Sequence, residues 1–424
     1  MSTLIDTKEA RNTVEASAVE GPAKGAMGRL GGKRVGMVVF SPYPIDPRPR
    51  RAVEALRSEG AHVELICELD GDAAKREHFE NLEVIRIPIR HIRGGALSYA
   101  YQYSSFILIS AAILAWRSLR RRYQLIYVHN MPDILVMSGL IPKLFGAKLI
   151  LDQHDPMPEL MRTIFNKEES SFAVKVLQHL ERWSIARANL VITVNRACER
   201  IFSTRSCDAE KIGVVMNSPD ELMFPFRPAN SYPVRDLGGP FVMMYHGSLV
   251  ERNGLELAVD ALQRIQAEIP QAELRVYGRS TPYLEQVMDK VKKLGLQQKV
   301  HFLGPRRLEQ LASEIQSCDV GVVPNQKNTF TDINTPTRIF EYLALGKPVI
   351  APAALGVQDY FGPESLVFFN AGDPADLAEK MAFVASDPEG AIRIAELGQQ
   401  VYMAHTWQQE RQTLVNLVAE LVAE

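Results

Sequence analysis

A single carboxylate, Glu341, stands within the otherwise apolar segment 335–350. The segment predicts a short helix followed directly by a buried strand. Thr335 can cap this helix, Pro336 suits its first position and Gly346 ends it. A carboxylate in apolar surroundings must be paired or held for a ligand. Glu341 therefore indicates either an ion pair or a binding site.

The start of this helix suits a diphosphate, because free backbone N–H groups and the positive end of the helix dipole meet there. Thr337 and Arg338 belong to this first turn. Glu341 follows one to two turns later, where it can bind hydroxyls of a ribose attached to the diphosphate. A nucleotide sugar needs both parts. An ordinary ion pair between Glu341 and Arg338 explains the same residues, and both interpretations stay open.

A run of polar residues follows the apolar stretch 149–151, and two prolines stiffen the loop after it. The run is Asp152-Gln153-His154-Asp155, at the end of a predicted strand. Four such groups at a strand end are hard to explain as core. His154 can donate a hydrogen bond to a sugar hydroxyl, and Asp155 can orient it. We predict that His154 acts directly in an active site.

The composition is that of an ordinary globular protein with full-sized cores: 424 residues, 46% hydrophobic and 23% charged. A net charge of -2 argues against nucleic acid as a partner. The four cysteines lack paired metal-type spacing and indicate reduced thiols in a cytoplasmic protein. Histidines are scattered, so the sequence predicts no metal site and no cofactor.

Strand and helix patterns alternate along the chain from Arg34 onward, which predicts parallel sheets covered on both faces. The predicted strands are 35–40, 62–67, 82–87, 125–129, 148–152, 190–194, 241–246, 273–277, 299–303, 319–323, 348–351 and 366–369. The proline-rich stretch 217–240 interrupts the alternation and indicates a linker. Residues 1–32 have no apolar core, which excludes a secretory signal and predicts a disordered tail. The predicted organisation is an α/β chain with a tail at 1–32, a Rossmann-like domain at 33–216, a linker at 217–240, a second Rossmann-like domain at 241–404 and a C-terminal helix at 405–424.

The helix around Glu341 and its Gly346-Lys347-Pro348-Val349 continuation resemble the signature of the retaining family-4 glycosyltransferases, and the resemblance extends from about Lys33 to the C-terminus. That family carries a Glu-x7-Glu motif. Glu341 matches the second glutamate, whereas Ile333 occupies the position of the first. The resemblance implies a GT-B fold, with two Rossmann-like domains facing a deep cleft and the last helix crossing back to the first domain. It also implies metal-independent transfer and a functional histidine at His154.

The resemblance further implies a donor site after the first strand of the second domain. Similar enzymes place two cations there, at positions that Ser248 and Asn253 occupy in this chain, and Arg252 is the available substitute. We therefore predict that Arg252 neutralises the departing diphosphate, although a solvated arginine explains it too. Glycines at strand ends let a ligand approach the backbone. The remaining donor-site candidates are Gly247, Gly278, Arg279 and Gly304, with the base near Gly304.

The acceptor side is assigned by the same resemblance to the loop after the first strand. Asp46 and Arg48 lie in this loop, and Arg48 can meet an anionic acceptor. His129, at the end of another strand, is a further acceptor candidate. Two simpler interpretations stay open: Asp46 caps the next helix, and His129 is a satisfied histidine near the core.

The stretch between Glu83 and Asp133 has no acidic residue and holds seven arginines. An apolar, aromatic run at 97–116 lies between the basic clusters. Its first half is too polar for a confident spanning helix. Basic ends with Tyr and Trp at the flanks favour an interfacial helix, so segment 86–122 predicts peripheral contact with a membrane. An ordinary helix that covers the sheet is the alternative.

The sequence as a whole predicts a cytoplasmic, retaining glycosyltransferase at the inner face of the membrane. Its expected donor is a UDP- or GDP-type sugar, and its acceptor a glycan or lipid-linked molecule in envelope or exopolysaccharide assembly. A non-catalytic partner protein of the same fold is the alternative, motivated by Ile333, Ser248 and Asn253. A nucleotide-sugar 2-epimerase is a third candidate. The oligomeric state, the sugar and the linkage do not follow from the sequence.

Overall fold

The computed structural model describes residues 28–89 and 96–423, and it divides the chain into two compact units. Unit 1 takes the described residues up to Val194, residues 198–216 and the C-terminal residues from Arg411. Unit 2 takes residues 195–197 and 217–410. Residues 1–27 of the predicted tail lie outside the described part. Leu30 is buried and donates its N–H to the Glu59 carbonyl oxygen, so ordered structure begins before Lys33.

Unit 1 is built on an eight-stranded sheet. Its strands are β1 (Arg34–Pro42), β2 (His62–Glu68), β3 (Arg76–Phe79), β4 (Leu82–Ile87), β5 (Leu125–His129), β6 (Lys148–Gln153), β7 (Leu190–Thr193) and β8 (Ile212–Val214). Six of them coincide with strands expected from the sequence, because their apolar runs are covered on both faces. The sequence did not indicate β3, a polar antiparallel strand at the sheet edge, or the three-residue β8.

The helices of unit 1 connect these strands. They are α1 (Pro47–Ser58), α2 (Ala96–Arg120), α3 (Leu140–Leu144), α4 (Met157–Phe165), α5 (Phe172–Arg187) and α6 (Arg196–Arg205), with a 3₁₀ helix at Asp133–Gly139. Within the described residues, no helix has the length and apolar character needed to cross a membrane.

The strand order of unit 1, β3-β4-β2-β1-β5-β6-β7-β8, places β1 at the point where the winding reverses. Every neighbouring pair except β3 with β4 is parallel. The carboxyl ends of β1, β5 and β6 therefore meet at one edge. Open α/β sheets bind ligands at such an edge.

Unit 2 repeats this design with a six-stranded parallel sheet in the order β11-β10-β9-β12-β13-β14. The strands are β9 (Phe241–His246), β10 (Ala272–Tyr277), β11 (Val300–Gly304), β12 (Val320–Val322), β13 (Val349–Pro352) and β14 (Val367–Phe369). All six coincide with predicted strands. The winding reverses at β9, so residues that follow β9 and β12 share one edge.

The helices that follow β8 are α7 (Leu255–Ile265), α8 (Pro282–Lys293), α9 (Leu308–Gln316), α10 (Thr329–Asp332), α11 (Thr337–Ala344), α12 (Leu355–Gln358), α13 (Pro374–Ser386), α14 (Pro388–Ala404) and α15 (Trp407–Ala423). Short 3₁₀ turns lie at Ala229–Ser231 and Glu251–Asn253. Apolar residues of α7, α8, α13 and α14 close the core of unit 2 over strands such as β9 and β10.

Candidate functional site

In unit 1, the polar cluster is centred on the buried carboxylate of Asp152. Strands β5 and β6 pair in parallel with His129 opposite Asp152, so both side chains reach the same sheet edge. The guanidinium of Arg48 binds this carboxylate from the loop after β1, with Nη2 2.6 Å from Oδ1. Tyr127 donates its hydroxyl to Oδ2 at 2.9 Å. Burial alone would raise the pKa of Asp152, but the charge of Arg48 and the hydrogen bond from His129 hold it well below its ordinary value.

His154 stands at the outer end of this cluster. Its Nε2 lies 3.0 Å from Nδ1 of His129 and 3.8 Å from Oδ2 of Asp152. Nδ1 of His129 is itself 3.2 Å from that carboxylate oxygen, so this nitrogen must carry a proton. Nε2 of His154 then accepts, which leaves the N–H on Nδ1 of His154. Burial lowers the pKa of His154 to about 3, so the imidazole is neutral at pH 7.

Asn130 fixes the loop that carries His154. Its side-chain oxygen accepts the His154 backbone N–H at 2.8 Å. Its amide nitrogen donates to Asp133 at 3.0 Å and to the carbonyl oxygen of Asp155 at 3.1 Å. Asp155 thus takes part in holding the loop through its backbone. The His154 ring lies beside His129 and Asp152.

Two acceptor expectations need correction. Arg48 is committed to Asp152 and to the Val215 carbonyl oxygen, because its guanidinium makes hydrogen bonds to both, so it does not present a free charge to an anionic acceptor. His129 is fully buried behind His154 and has no surface for an acceptor. The simpler interpretation holds for Asp46, which caps α1 by accepting the backbone N–H of Arg48.

The donor types of this cluster also suit a metal ion. His129, Asp152 and His154 form the one group of potential ligands in the described residues whose donor atoms lie within 4.8 Å of one another. Nitrogen and carboxylate ligands are typical of Zn²⁺. However, Asp152 already accepts hydrogen bonds from Arg48 and Tyr127, and a cation would stand beside a guanidinium. The geometry fits a hydrogen-bond network that orients His154 better than a metal centre.

In unit 2, Glu341 on α11 lies against His246 at the end of β9. His246 is the last residue of β9, and its Nε2 lies 3.3 Å from Oε2 of Glu341 on α11. Burial lowers the pKa of His246 to about 3, and the positive charge of Arg338 contributes to the same shift. The imidazole is therefore neutral and does not cancel the charge of the carboxylate beside it.

Arg338 packs behind the same strand end. Its Nη1 donates to the His246 carbonyl oxygen at 2.9 Å, and its Nη2 to Oδ1 of Asn325 at 3.2 Å. The guanidinium carbon lies 4.9 Å from the centre of the Tyr245 ring. Arg338 thus ties α11 to β9; its pairing with Glu341 was one of the two interpretations that the sequence left open.

The start of α11 differs from the expectation. The helix begins at Thr337 after Pro336, and no side chain caps it. Thr335 is buried, and its hydroxyl donates to the Gly356 carbonyl oxygen at 2.6 Å and accepts from Asn195 at 3.1 Å. Thr335 is therefore not the cap, because its oxygen has long-range partners. Gly346 ends the helix as expected, with φ of 72°.

Two neighbouring strand ends in unit 2 are closed to side chains. Gly247 follows β9 with φ of 124°, a conformation that side chains disfavour. A Cβ atom on Gly278, after β10, would lie 2.4 Å from the Gly247 carbonyl oxygen. Gly304 ends β11 with φ of 76° and open space around its Cβ position. Bare backbone at these ends suits close approach of a phosphate or base.

The loop after Gly247 holds the remaining candidates. Asn253 donates its side-chain amide to the Ser248 carbonyl oxygen at 2.8 Å, so it stabilises the loop. Ser248 and Arg279 are exposed. The guanidinium carbon of Arg252 lies 5.9 Å from the centre of the Phe330 ring. In the described part of the chain, Arg252 has no recorded ion pair, which leaves its charge available.

Three residues of these clusters were not singled out from the sequence: Asp152, His246 and Asn325. Asp152 and His246 each occur at a strand end beside a chosen residue, which was the available signal. Asn325 follows β12, and its role depends on the adjacency of β9 and β12, which the sequence does not state.

Acidification is expected to destabilise the fold through His154 and His246. Their pKa of about 3 in the folded chain lies below the value near 6.5 of an unfolded histidine. The unfolded chain therefore binds more protons, and this contribution to stability is complete above about pH 6.5 and is lost as the pH falls towards 3. Urea midpoints at pH 7, 6 and 5 measure the slope. A His246→Gln variant should show a shallower slope, and an unchanged slope would contradict the assignment.

Comparison with known proteins defines the class of this molecule. The family model "Glycosyl transferase 4-like domain" matches residues 45–218, and "Glycosyl transferases group 1" matches residues 233–401. Solved GT-B glycosyltransferases share the fold over more than nine-tenths of the chain. Together the two models cover most of the chain, which therefore belongs to the glycosyl transferase family that they describe and has the GT-B fold.

The two matched models, one for each half of the chain, show a resemblance to the family-4 glycosyltransferases, which confirms the resemblance found in the sequence. Sucrose-phosphate synthase from Thermosynechococcus elongatus aligns over 92% of this chain and 99% of its own, with a TM-score of 0.74 and 20% identity. HepE from Anabaena, solved with UDP and glucose, aligns over 92% and 100%, with a TM-score of 0.66 and 18% identity.

A curated relative is the D-inositol 3-phosphate glycosyltransferase of Corynebacterium urealyticum, 26% identical over 245 residues. The match covers 54% of this chain and 57% of the relative. The chain therefore spans little more than half the length of this relative.

Proposed function

We propose that this chain is a retaining glycosyltransferase that moves a sugar from a UDP- or GDP-type donor to a glycan or lipid-linked acceptor in envelope or exopolysaccharide assembly. The observation that carries the proposal is the contact between Glu341 and a neutral His246 at the end of β9. This arrangement keeps a charged carboxylate near the uncapped start of α11, where ribose and diphosphate are bound together.

Donor binding is assigned to unit 2. The first-turn N–H groups of α11 and the bare backbone at Gly247 receive the diphosphate, and Glu341 accepts from the ribose hydroxyls. Arg252 supplies a positive charge as the diphosphate leaves. Helix dipole and guanidinium then stabilise the phosphate charge without a metal ion. HepE, solved with UDP and glucose, supports a uridine nucleotide as the first donor to test.

The transfer step retains the configuration of the sugar. The acceptor oxygen forms a bond to the anomeric carbon on the face from which the diphosphate oxygen departs, and the acceptor proton passes to that leaving oxygen. His154 donates from Nδ1 to a hydroxyl of the sugar or acceptor, and so positions it rather than serving as an obligatory base. Asp152 and His129 hold the imidazole in this orientation.

A non-catalytic partner protein is the second candidate, because three positions depart from the pattern of similar enzymes. Ile333 is buried, and Asn253 stabilises its own loop. Tight nucleotide binding without turnover of any donor would favour this candidate. Release of a free sugar nucleotide product without an acceptor would favour the epimerase.

The proposal is tested by a thermal-shift screen of UDP- and GDP-sugars, followed by product analysis. A ligand at 100 times its dissociation constant stabilises the folded chain by about 2.7 kcal/mol. The donor that shifts the transition is then incubated with simple glycan and polyprenyl-phosphate acceptors. Proton NMR of the product reports the anomeric configuration. An inverted product would contradict the retaining mechanism.

Glu341→Gln is expected to weaken binding of UDP or GDP by about 1–3 kcal/mol, the scale of a lost hydrogen bond to a charged group. Glu389→Gln, at a largely exposed glutamate on α14, is the matched control and should bind as the wild type does. Titration calorimetry measures both. Unchanged affinity in a folded Glu341→Gln protein would refute the assignment.

A further inference from the structure

Helix α2 has an apolar face on its outer side as well as on its inner side. Its inner face packs on unit 1 through buried residues such as Phe106 and Leu114. The outer face presents Tyr101, Leu108 and Leu119, which are 74%, 69% and 71% exposed. At about 100° per residue these three positions fall on one line along the helix. An ordinary sheet-covering helix would carry polar residues there.

Buried polar residues of α2 make the inner face compatible with close packing. Ser110 and Ser118 donate their hydroxyls to the carbonyl oxygens of Phe106 and Leu114 within the same helix. Large apolar side chains therefore lie on both the inner and the outer side of α2. An exposed apolar surface of this kind is typical of surfaces that are covered in use.

The apolar surface continues onto α3, which packs against α2. Leu144 is 85% exposed, and Ile141 and Phe145 are also exposed. They add exposed apolar side chains on the helix that neighbours the stripe. We call these residues of α2 and α3, with Tyr101 and Trp116, the outer face.

In the described part of α2 and the turn after it, the exposed positive charge lies at the C-terminal end of the outer face. Arg120, Arg121 and Arg122 are exposed, and the guanidinium carbon of Arg120 lies 3.7 Å from the centre of the Trp116 ring. An arginine stacked on an exposed tryptophan is typical of the level of lipid head groups.

Two arginines of the predicted basic segment do not contribute to this surface. Arg117 bridges Glu64 at 2.7 Å and Glu83 at 2.6 Å, and Arg86 bridges Glu77 at 2.6 Å. Their charges are neutralised inside unit 1. Arg90 and Arg93 lie outside the described residues. The sequence expectation therefore needs correction: the lipid-facing charge includes Arg120–Arg122 but not all seven arginines.

We propose that the outer face binds the interfacial region of an anionic lipid bilayer, with α2 lying flat in the membrane surface. The stripe from Tyr101 to Leu119 is about 27 Å long at 1.5 Å per residue. The apolar side chains enter the acyl boundary, and Arg120–Arg122 meet anionic head groups. The choice of a lipid-linked acceptor rests on the proposed function, but lipid binding itself is measured without any sugar.

The experiment is flotation of the full chain with vesicles of phosphatidylcholine alone and with added phosphatidylglycerol. The apolar variant carries Leu108→Ser and Leu119→Ser. The charge variant carries Arg120→Gln, Arg121→Gln and Arg122→Gln and keeps Arg117, whose loss would break a buried ion pair. The matched controls are Leu222→Ser, 80% exposed in unit 2, and Arg393→Gln, whose side chain is 65% exposed.

The wild type should float with anionic vesicles, and both controls should follow it. The charge variant should bind anionic vesicles about 10²-fold more weakly, since each arginine near the surface contributes roughly a factor of five. The apolar variant should lose at least about tenfold on every lipid and at high salt, which does not screen apolar burial.

Three results would overturn the proposal. Wild type that fails to float at low salt has no lipid site. Binding that is indifferent to both variants lies elsewhere on the chain. If light scattering shows a dimer of the wild type without lipid and a monomer of the apolar variant, the outer face binds a second copy of the chain instead. None of these outcomes depends on turnover, so a failure here is separable from a failure of the glycosyltransferase proposal.

Discussion

Arg252→Ala is expected to lose about 10²-fold or more in turnover, on the scale of removing one preorganised group that stabilises developing charge. The usual cation positions of similar enzymes are Ser248 and Asn253 in this chain, and Asn253 is occupied in its own loop. Arg252 lies between them in sequence, and it is half-buried, with its guanidinium carbon 5.9 Å from the centre of the Phe330 ring. Its loss should therefore change activity far more than stability.

Initial rates with the donor found in the screen measure this effect. Arg252→Lys keeps a charge and should recover part of the loss. Arg393→Ala, at an exposed position of α14, is the control for removing an arginine without touching the site. Near-normal turnover of Arg252→Ala would move the role to Arg338 or Arg279. A parallel loss of thermal stability would indicate a structural role instead.

Asp152→Asn is expected to destabilise unit 1 by about 3–5 kcal/mol, because it leaves the guanidinium of Arg48 buried without its partner. The bidentate contact, with Nη2 at 2.6 Å, and the burial of Asp152 make this the largest single stability effect that we expect. Tyr127→Phe removes one hydrogen bond to the same carboxylate and should cost less, about 1.5–3 kcal/mol.

Urea unfolding measures these changes, and a double variant separates the two roles of Asp152. Arg48→Met with Asp152→Leu removes both charges, and it should be more stable than Asp152→Asn alone. It should still be impaired in turnover, because His129 and His154 have lost the carboxylate that orients them. A double variant that is no more stable than Asp152→Asn would contradict the buried-charge explanation.

The sequence predicted strands well where burial alone decides them. Strands such as β5 and β13 are short apolar runs bounded by polar or turn residues, and the structure confirms them. It could not predict β3, whose residues Arg-Glu-His-Phe lack an apolar run and are held by pairing with β4. Such a strand forms because it pairs with its neighbour, and the local sequence pattern does not reveal that pairing.

In the candidate site too, the sequence identified some residues but not their distant partners. His154 and Glu341 could be chosen because a polar group at an apolar strand or helix needs a reason. The partner of Arg48 could not, because Asp152 lies 104 residues away and meets it only through the order β1-β5-β6. Thr335 was assigned as a helix cap from its type, but its hydroxyl bonds the Gly356 carbonyl oxygen 21 residues later.

Helix α2 also fixes a distance. It joins β4 to β5, two strands that run in the same direction, so it must run back along the sheet between them. With α2 flat on lipid, the strands lie along the bilayer, and the edge that carries His154 opens sideways. One helix layer, about 10–12 Å across, separates the sheet from the lipid. With both the lipid-binding and the glycosyltransferase proposals, the reacting hydroxyl of an acceptor must stand at that height above the membrane. The protein then meets such acceptors by two-dimensional diffusion along the bilayer.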